Sequence, residues 1–237
     1  MHSSIDRLLR KLRLRWEIPP DAAAALESVM QPPRRYARGE EMIAQFAKPN
    51  ESTLMVAGVA GRLVTLEDGA EQVTALHIAG DFVDLHSLYL RRQDHSVVAL
   101  DDCVVATAPH GPLAEVATNY PAWALAFGYL LAWDAAVHRR WIVMLGRQTA
   151  RAAFAHLICE LWTRNRDVGL AEGPAFDLPL TQVELANVLG LSTVHANRVV
   201  QSLRAEGLIR WRSARVEILD WDRLAALAQF DTAYLQH

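Results

Sequence analysis

The stretch that most constrains this chain is Leu180 to Leu208, LTQVELANVLGLSTVHANRVVQSLRAEGL. Thr181 followed three residues later by Glu184 is a capping box, in which a hydroxyl and a carboxylate each accept from an otherwise orphaned backbone amide. A helix therefore starts there, with Val183, Ala186, Val188 and Leu189 as its apolar positions. Gly190 supplies the left-handed residue that ends it, and Leu191 pins the turn. Ser192 or Thr193 caps a second helix that buries Ala196, Val199, Val200 and Leu203 and turns Thr193, Val194, Asn197, Arg198 and Gln201 outward. Two helices meeting at a tight turn, the second carrying an Asn-Arg pair near its start, form a helix-turn-helix, whose second helix lies in the major groove of DNA. Gly207 stops that helix. Leu208–Arg212 and Arg215–Leu219 then alternate around Ser213-Ala214, which predicts a β-hairpin wing.

Charge agrees with this geometry only locally. From Arg198 to Arg215 there are five arginines (198, 204, 210, 212 and 215) and one acid, Glu206, while the whole chain carries a net charge of −3. Attraction to phosphate must come from this patch and not from a global basic field. With 237 residues, 51% of them apolar, the chain can bury a sizeable core in two domains. Its two cysteines, Cys103 and Cys159, lie in apolar segments. They exclude a disulfide scaffold, a four-thiolate cluster and a cysteine-based zinc site, and fit a reducing cytoplasm. No apolar run approaches the ~18 residues needed to span a bilayer, so no membrane association is expected.

Ile5, Leu8, Leu9, Leu12 and Trp16 share one helical face near the N-terminus, with arginines elsewhere on it. That pattern fits a helix packed on the following domain, or alternatively a membrane-surface helix or targeting peptide, which Asp6 and Glu17 oppose. Pro19-Pro20 end it, and a second short helix spans Asp21 to Met30. From Tyr36 to Ala108 the period falls to two. Leu54–Gly58, Gly61–Leu66, Val73–Ile78, Ser96–Leu100 and Cys103–Ala108 read as short strands, with Asp68-Gly69 as a hairpin turn. A short helical insertion interrupts them at Leu85–Leu90. Between Pro121 and Leu145 the chain is helical again: Trp123, Leu130, Val137 and Met144 recur every seven residues, with Phe127, Trp133 and Trp141 on adjacent stripes. So apolar a helix needs cover on two faces, one from its own β-domain and the other from a second subunit, and these seven residues are the expected dimer interface. Gln148–Trp162 is a further helix, and 167–178 reads as a linker. The predicted domains are 1–118, 119–145 and 146–237.

The order of β-roll, long helix, helix-turn-helix and wing resembles the Crp/Fnr superfamily of bacterial transcription regulators over nearly the whole chain. The matching landmarks are Gly39-Glu40, Gly58, Gly61, Gly80-Asp81, Gly146-Arg147 and, above all, Leu180–Ile209. The resemblance implies an α+β fold: an N-terminal roll of the cyclic-nucleotide-binding, jelly-roll type, a long dimerisation helix and a C-terminal winged helix-turn-helix. It also implies a homodimer on a near-palindromic duplex, its recognition helices roughly 34 Å apart. RNA polymerase would be a further partner of an activator. Arg198 matches the family's recognition-helix arginine and suits guanine O6 and N7; Asn197 stands where oxygen-responsive members carry Ser. Val194 replaces the usual base-reading Glu, which predicts contact with a thymine methyl and a changed consensus. Thr181, Ser192, Thr193, His195, Gln201 and Arg212 complete the expected DNA-facing set, the helix-start residues serving phosphates.

On the effector side the candidates are Asp81, Phe82, His86, His95 and Ser96. Members that bind cyclic AMP use a Glu and then an Arg-Ser or Arg-Thr pair to grip the phosphate; here Asp81 and His95-Ser96 stand in those places, so no such clamp is expected. Four-cysteine cluster binding is excluded by count. One alternative is haem: Gly80–Ser87 resembles the segment around the proximal histidine of carbon-monoxide-sensing members, with His86 as ligand and Asp84 where their thiolate would be. Another is a cupin-like metal enzyme using His77, His86, His95 and His110, although their spacing shows no close ligand pair. No P-loop, Gly-x-Ser-x-Gly or HExxH is present, so neither catalytic residues nor a resident metal or other cofactor are expected, and the effector is left open.

Overall fold

The structure is a computed structural model that describes residues 4–90 and 92–235. It divides into two compact units. One comprises the chain up to Leu66 together with Thr74–Asp134; the other comprises Glu67–Val73 and the chain from Ala135 onward.

The first unit opens with helices α1 (Asp6–Leu12) and α2 (Pro20–Val29). The apolar face of α1 is covered inside its own unit: Ile5, Leu8 and Leu12 are buried in one cluster with Leu26, Leu113, Trp123 and Phe127. The face that could have suggested a membrane surface is thus core. Pro20 opens α2, where a missing amide costs nothing. The roll follows as β1 (Arg34–Tyr36), β2 (Glu41–Ile43), β3 (Glu51–Ala57), β4 (Ala60–Thr65), β5 (Glu71–His77), a 3₁₀ turn at Leu85–Leu88, β6 (Ser96–Ala99) and β7 (Cys103–Pro109). The strands form two sheets, β1-β7-β3 and β2-β6-β4-β5. Inward residues of both, including Met55, Ala60, Val97, Ala99, Cys103 and Val105, make a second core cluster. The β3–β4 turn requires glycine. Gly58 has φ +86°, and a Cβ there would lie 2.6 Å from the Asp102 carbonyl oxygen and 2.8 Å from Cys103 Sγ.

Helix α3 (His110–Asn119) and the long α4 (Pro121–Arg147) come next. All seven residues expected to face a second subunit are buried within the chain instead. Trp123, Phe127 and Met144 are 0% exposed, and Leu130, Trp133, Val137 and Trp141 are no more than 8% exposed. The seven-residue repeat marks the seam that the chain covers for itself. The uncovered seam is another stripe at the same spacing, Leu125, Gly128, Ala132, Ala135, Arg139 and Ile142, every one exposed.

The second unit continues with α5 (Ala150–Asp167), capped by the Thr149 hydroxyl, which accepts from Ala152 N. Then come β8 (Ala175–Asp177), α6 (Gln182–Leu189), α7 (Thr193–Ala205), β9 (Ile209–Arg212), β10 (Arg215–Ile218) and α8 (Trp221–Ala228). The stretch expected to be a linker therefore contains a strand, and the sheet order is β8-β10-β9. Helix α8, capped by Asp220, extends the chain beyond the wing. None of the described helices is long and apolar enough to cross a membrane.

Candidate nucleic-acid interface

The capping box forms as the residue types require. Thr181 N donates to Glu184 Oε2 at 2.6 Å, and Glu184 N to the Thr181 hydroxyl at 3.2 Å. Thr181→Ala is expected to lower stability by about 1 kcal/mol, read as a shift of the urea midpoint. At the other end of α6, Gly190 takes φ +62° and Leu191 N returns to Ala186 O at 3.0 Å. The buried set of α6 is Leu185, Ala186, Val188 and Leu189, whereas Val183 is 55% exposed. The sequence reading placed Val183 on the apolar face; Leu185 holds that place.

Ser192 caps α7, its hydroxyl accepting from His195 N at 3.3 Å. Ala196, Val199 and Leu203 face the core and Val200 is half-buried. Val194, 70% exposed, shares the outer face with His195, Arg198 and Gln201, and Thr193 is half-buried at the helix start. Asn197 is half-buried and donates to Gln182 Oε1 at 3.1 Å, which ties α7 to the first turn of α6. A shallow hollow bordered by Thr181, Gln182, Asn197, Gln201, Arg204 and Ser213 joins the α6 N-terminus, the outer face of α7 and the wing. Trp211 stacks on Phe154, with ring centroids 5.9 Å apart, and so anchors β9 to α5.

The positive patch is narrower than the sequence count implies. Arg210 pairs with Glu217, Arg215 with Glu172 and Asp177, and Glu206 is taken by Arg151 at 2.6 Å. Three of these acids lie outside the Arg198–Arg215 interval and are brought to it by the fold. Among the described residues no ion pair holds Arg198 or Arg212, and both are exposed.

The roll's candidate residues separate. Asp81, 4% exposed, accepts from Lys11 Nζ at 2.8 Å and from Ile78 N at 3.0 Å, so its carboxylate is consumed internally. Phe82 is buried edge-on to Phe127. Ser96 donates to Glu41 at 2.6 Å and accepts from Gln45 N. Arg62 on β4 is a buried cation of the roll, 5% exposed, and it reaches Asp134 at 2.8 Å and Val83 O at 3.0 Å. Sequence reasoning missed it, although an arginine within an apolar strand is itself a signal. Burial raises the Asp84 carboxyl to about 7 against the amide of Thr53 and the charge of Arg62. Burial and Arg62 also push His95 down to about 4 and lower His86.

Of the four histidines weighed as metal ligands, the fold brings His86 and His95 together, with ring centroids 5.2 Å apart. His110 bonds to Ser87 at 3.0 Å. Gln93 meets His86 Nε2 at 2.8 Å, His95 lies beside the ring, and the adjoining hollow mixes Lys11, Arg62, Asp81 and Asp134 with Phe82, Leu85, Leu130 and Trp133.

A roll built on two sheets, followed by a long helix and a winged helix-turn-helix with an outward-facing arginine, defines a DNA-binding regulator with a sensor-type domain. Residues 33–120 match the cyclic nucleotide-binding domain and residues 153–227 the Crp-like helix-turn-helix domain. The chain is 30% identical over 203 residues to the transcriptional activator protein FnrL of Cereibacter sphaeroides, covering 84% of this chain and 81% of the relative. It is 31% identical over 194 residues to a probable transcriptional activator of Rhizobium leguminosarum bv. viciae, covering 81% and 79%. The solved structure of FixK2 from Bradyrhizobium japonicum matches its fold with TM-score 0.73 at 21% identity, over 83% of this chain and 96% of that one. The chain belongs to the Crp/Fnr family of transcription regulators.

Proposed function

We propose that this regulator acts in the cytoplasm as a homodimer on a near-palindromic duplex, with Arg198 reading a guanine and Arg212 neutralising a phosphate. The observation that carries the reading is the outer face of α7, where Arg198 is exposed beside Val194 and Gln201 and no ion pair among the described residues holds it. Its forked guanidinium suits O6 and N7 of guanine, and Val194 suits a thymine methyl. Thr181, Ser192, Thr193 and His195 sit at helix N-termini, where amide dipoles favour phosphate, and Asn197 holds the two helices in register. No catalytic step belongs to this function.

The dimer forms along the uncovered seam of α4 and not along its tryptophan stripe. Leu125 and Ile142 are each 71% exposed, and Gly128, Ala132 and Ala135 between them let two helix backbones approach closely. Ala132→Glu, which places a carboxylate in that seam, is expected to convert a dimer into monomers in sedimentation at micromolar concentration, with DNA affinity falling in parallel. A variant that stays dimeric would contradict this interface.

The effector is not cyclic AMP. Asp81 is already neutralised by Lys11, and no arginine stands at the His95-Ser96 position. Cyclic AMP at millimolar concentration is expected to leave DNA affinity unchanged in a gel-shift assay. Relatives are named activators, which supports RNA polymerase as the partner downstream of DNA if this chain activates. In vitro transcription from a bound promoter, with and without the protein, tests that step.

A further inference from the structure

The turn at Leu85–Leu88 delivers His86, and the segment entering β6 delivers Gln93, Asp94 and His95. His86 and His95 are nine residues apart in the chain, a separation that announces no ligand pair, yet the fold closes it. One ligand atom from each of His86, Asp94 and His95 lies within 4.8 Å of the other two. His95 is 7% exposed and its Nε2 has no hydrogen-bond partner among the described residues; the amide nitrogen of Gln93, 1% exposed, has none either. Buried imidazole nitrogens are nearly always satisfied, so a ring pair with an orphaned nitrogen beside a carboxylate points to a missing partner.

We propose that His86, His95 and Asp94 bind one divalent first-row transition-metal ion in the roll. Two imidazoles and one carboxylate suit zinc, iron, cobalt or nickel; calcium and magnesium prefer all-oxygen sets, and copper(I) prefers thiolates. A metal at the orphaned His95 Nε2 takes His86 Nε2 from Gln93, now at 2.8 Å, and the Asp94 carboxylate from His95 Nδ1, now at 2.7 Å. The Asp94 side chain is 85% exposed, so the third ligand closes from solvent and gives the ion an entry path. Three protein ligands leave at least one position for water or an exogenous ligand. Metal held here clamps the 3₁₀ turn to the start of β6. The site lies in the roll and does not depend on how the winged motif reads DNA.

The test uses the full chain, freed of metal with a chelator, titrated with zinc(II) by calorimetry and with cobalt(II) by visible absorption. The expected result is one ion per chain, with the d–d bands of a low-coordinate cobalt site. His86→Ala and His95→Ala should each weaken zinc binding at least about 100-fold, because losing a ligand costs more than losing an outer-shell support. Asp94→Ala alters an exposed side chain, leaves the fold intact, and should weaken binding at least about 10-fold. Absence of stoichiometric uptake by the unmodified protein would overturn the proposal. So would uptake that Asp94→Ala and both histidine variants leave unchanged.

Discussion

Glu160→Ala is expected to cost about 3–5 kcal/mol of folding stability, the loss seen when one member of a buried charged pair is removed. Glu160 is 0% exposed in the middle of α5. Its carboxylate accepts from Tyr234 Oη at 2.7 Å, from Trp141 Nε1 at 3.1 Å and from Arg164 Nη1 at 3.2 Å. One acid thus joins α4, α5 and the C-terminal 3₁₀ turn at Thr232–Leu235. Alanine strips a 5%-exposed guanidinium of this counterion and leaves the Trp141 indole N–H without its acceptor. Glu160→Gln keeps an acceptor and should cost less. Urea denaturation of the three proteins checks the order; a loss below about 1 kcal/mol for alanine would show that the network contributes little.

The same cluster has a pH dependence of fixed sign. His156 is buried and bonds to Tyr234 Oη at 3.0 Å; burial, and then the charge of Arg140, push it down to about 4. The unfolded chain takes up a proton near pH 6.5 that the folded form refuses until about pH 4. The contribution is therefore complete above about pH 6.5 and is lost as pH falls towards 4. His156→Phe should flatten the fall in stability between pH 7 and 5.

Arg198→Ala is expected to lose about 1–3 kcal/mol of discrimination at one base pair while leaving binding to random duplex nearly intact. The reason lies in the ion pairs. Arg210 and Arg215 are held by acids of their own unit, whereas the described residues give Arg198 no counterion and α7 presents it outward. Arg212→Ala provides the contrast: it should weaken binding to all sequences and reduce the dependence of log K on log salt by roughly one unit. Titrations on specific and scrambled duplexes at several salt concentrations separate the two. Equal losses on both duplexes for Arg198→Ala would refute base reading.

The winged motif was legible because its signals are local. A capping box, a left-handed glycine and a second cap each specify backbone within four residues, and the structure contains all three. Helix α8 carried the same sort of signal, an Asp220 cap followed by Leu224 and Ala228, and could have been read from it. What failed to show was settled by distant partners. Strand β8 has three residues and owes its conformation to pairing with β10. The ion pairs of Arg215 come from Glu172 and Asp177, which the fold returns to the wing from a stretch that reads as linker. In α4 the tryptophan seam was visible, but the chain covers it itself; the glycine and alanines of the exposed seam carry too little hydrophobicity to announce an interface. His86 and His95 meet only once the roll has closed.

Selection of bound sequences from a random duplex pool tests the central claim most directly, with purified full-length protein at moderate ionic strength. The account predicts enrichment of two inverted half-sites about one helical turn apart, roughly 10 base pairs centre to centre, each containing a guanine that Arg198→Ala ceases to select. A pool that emerges without sequence preference, or one enriched in a single undivided site, would contradict it.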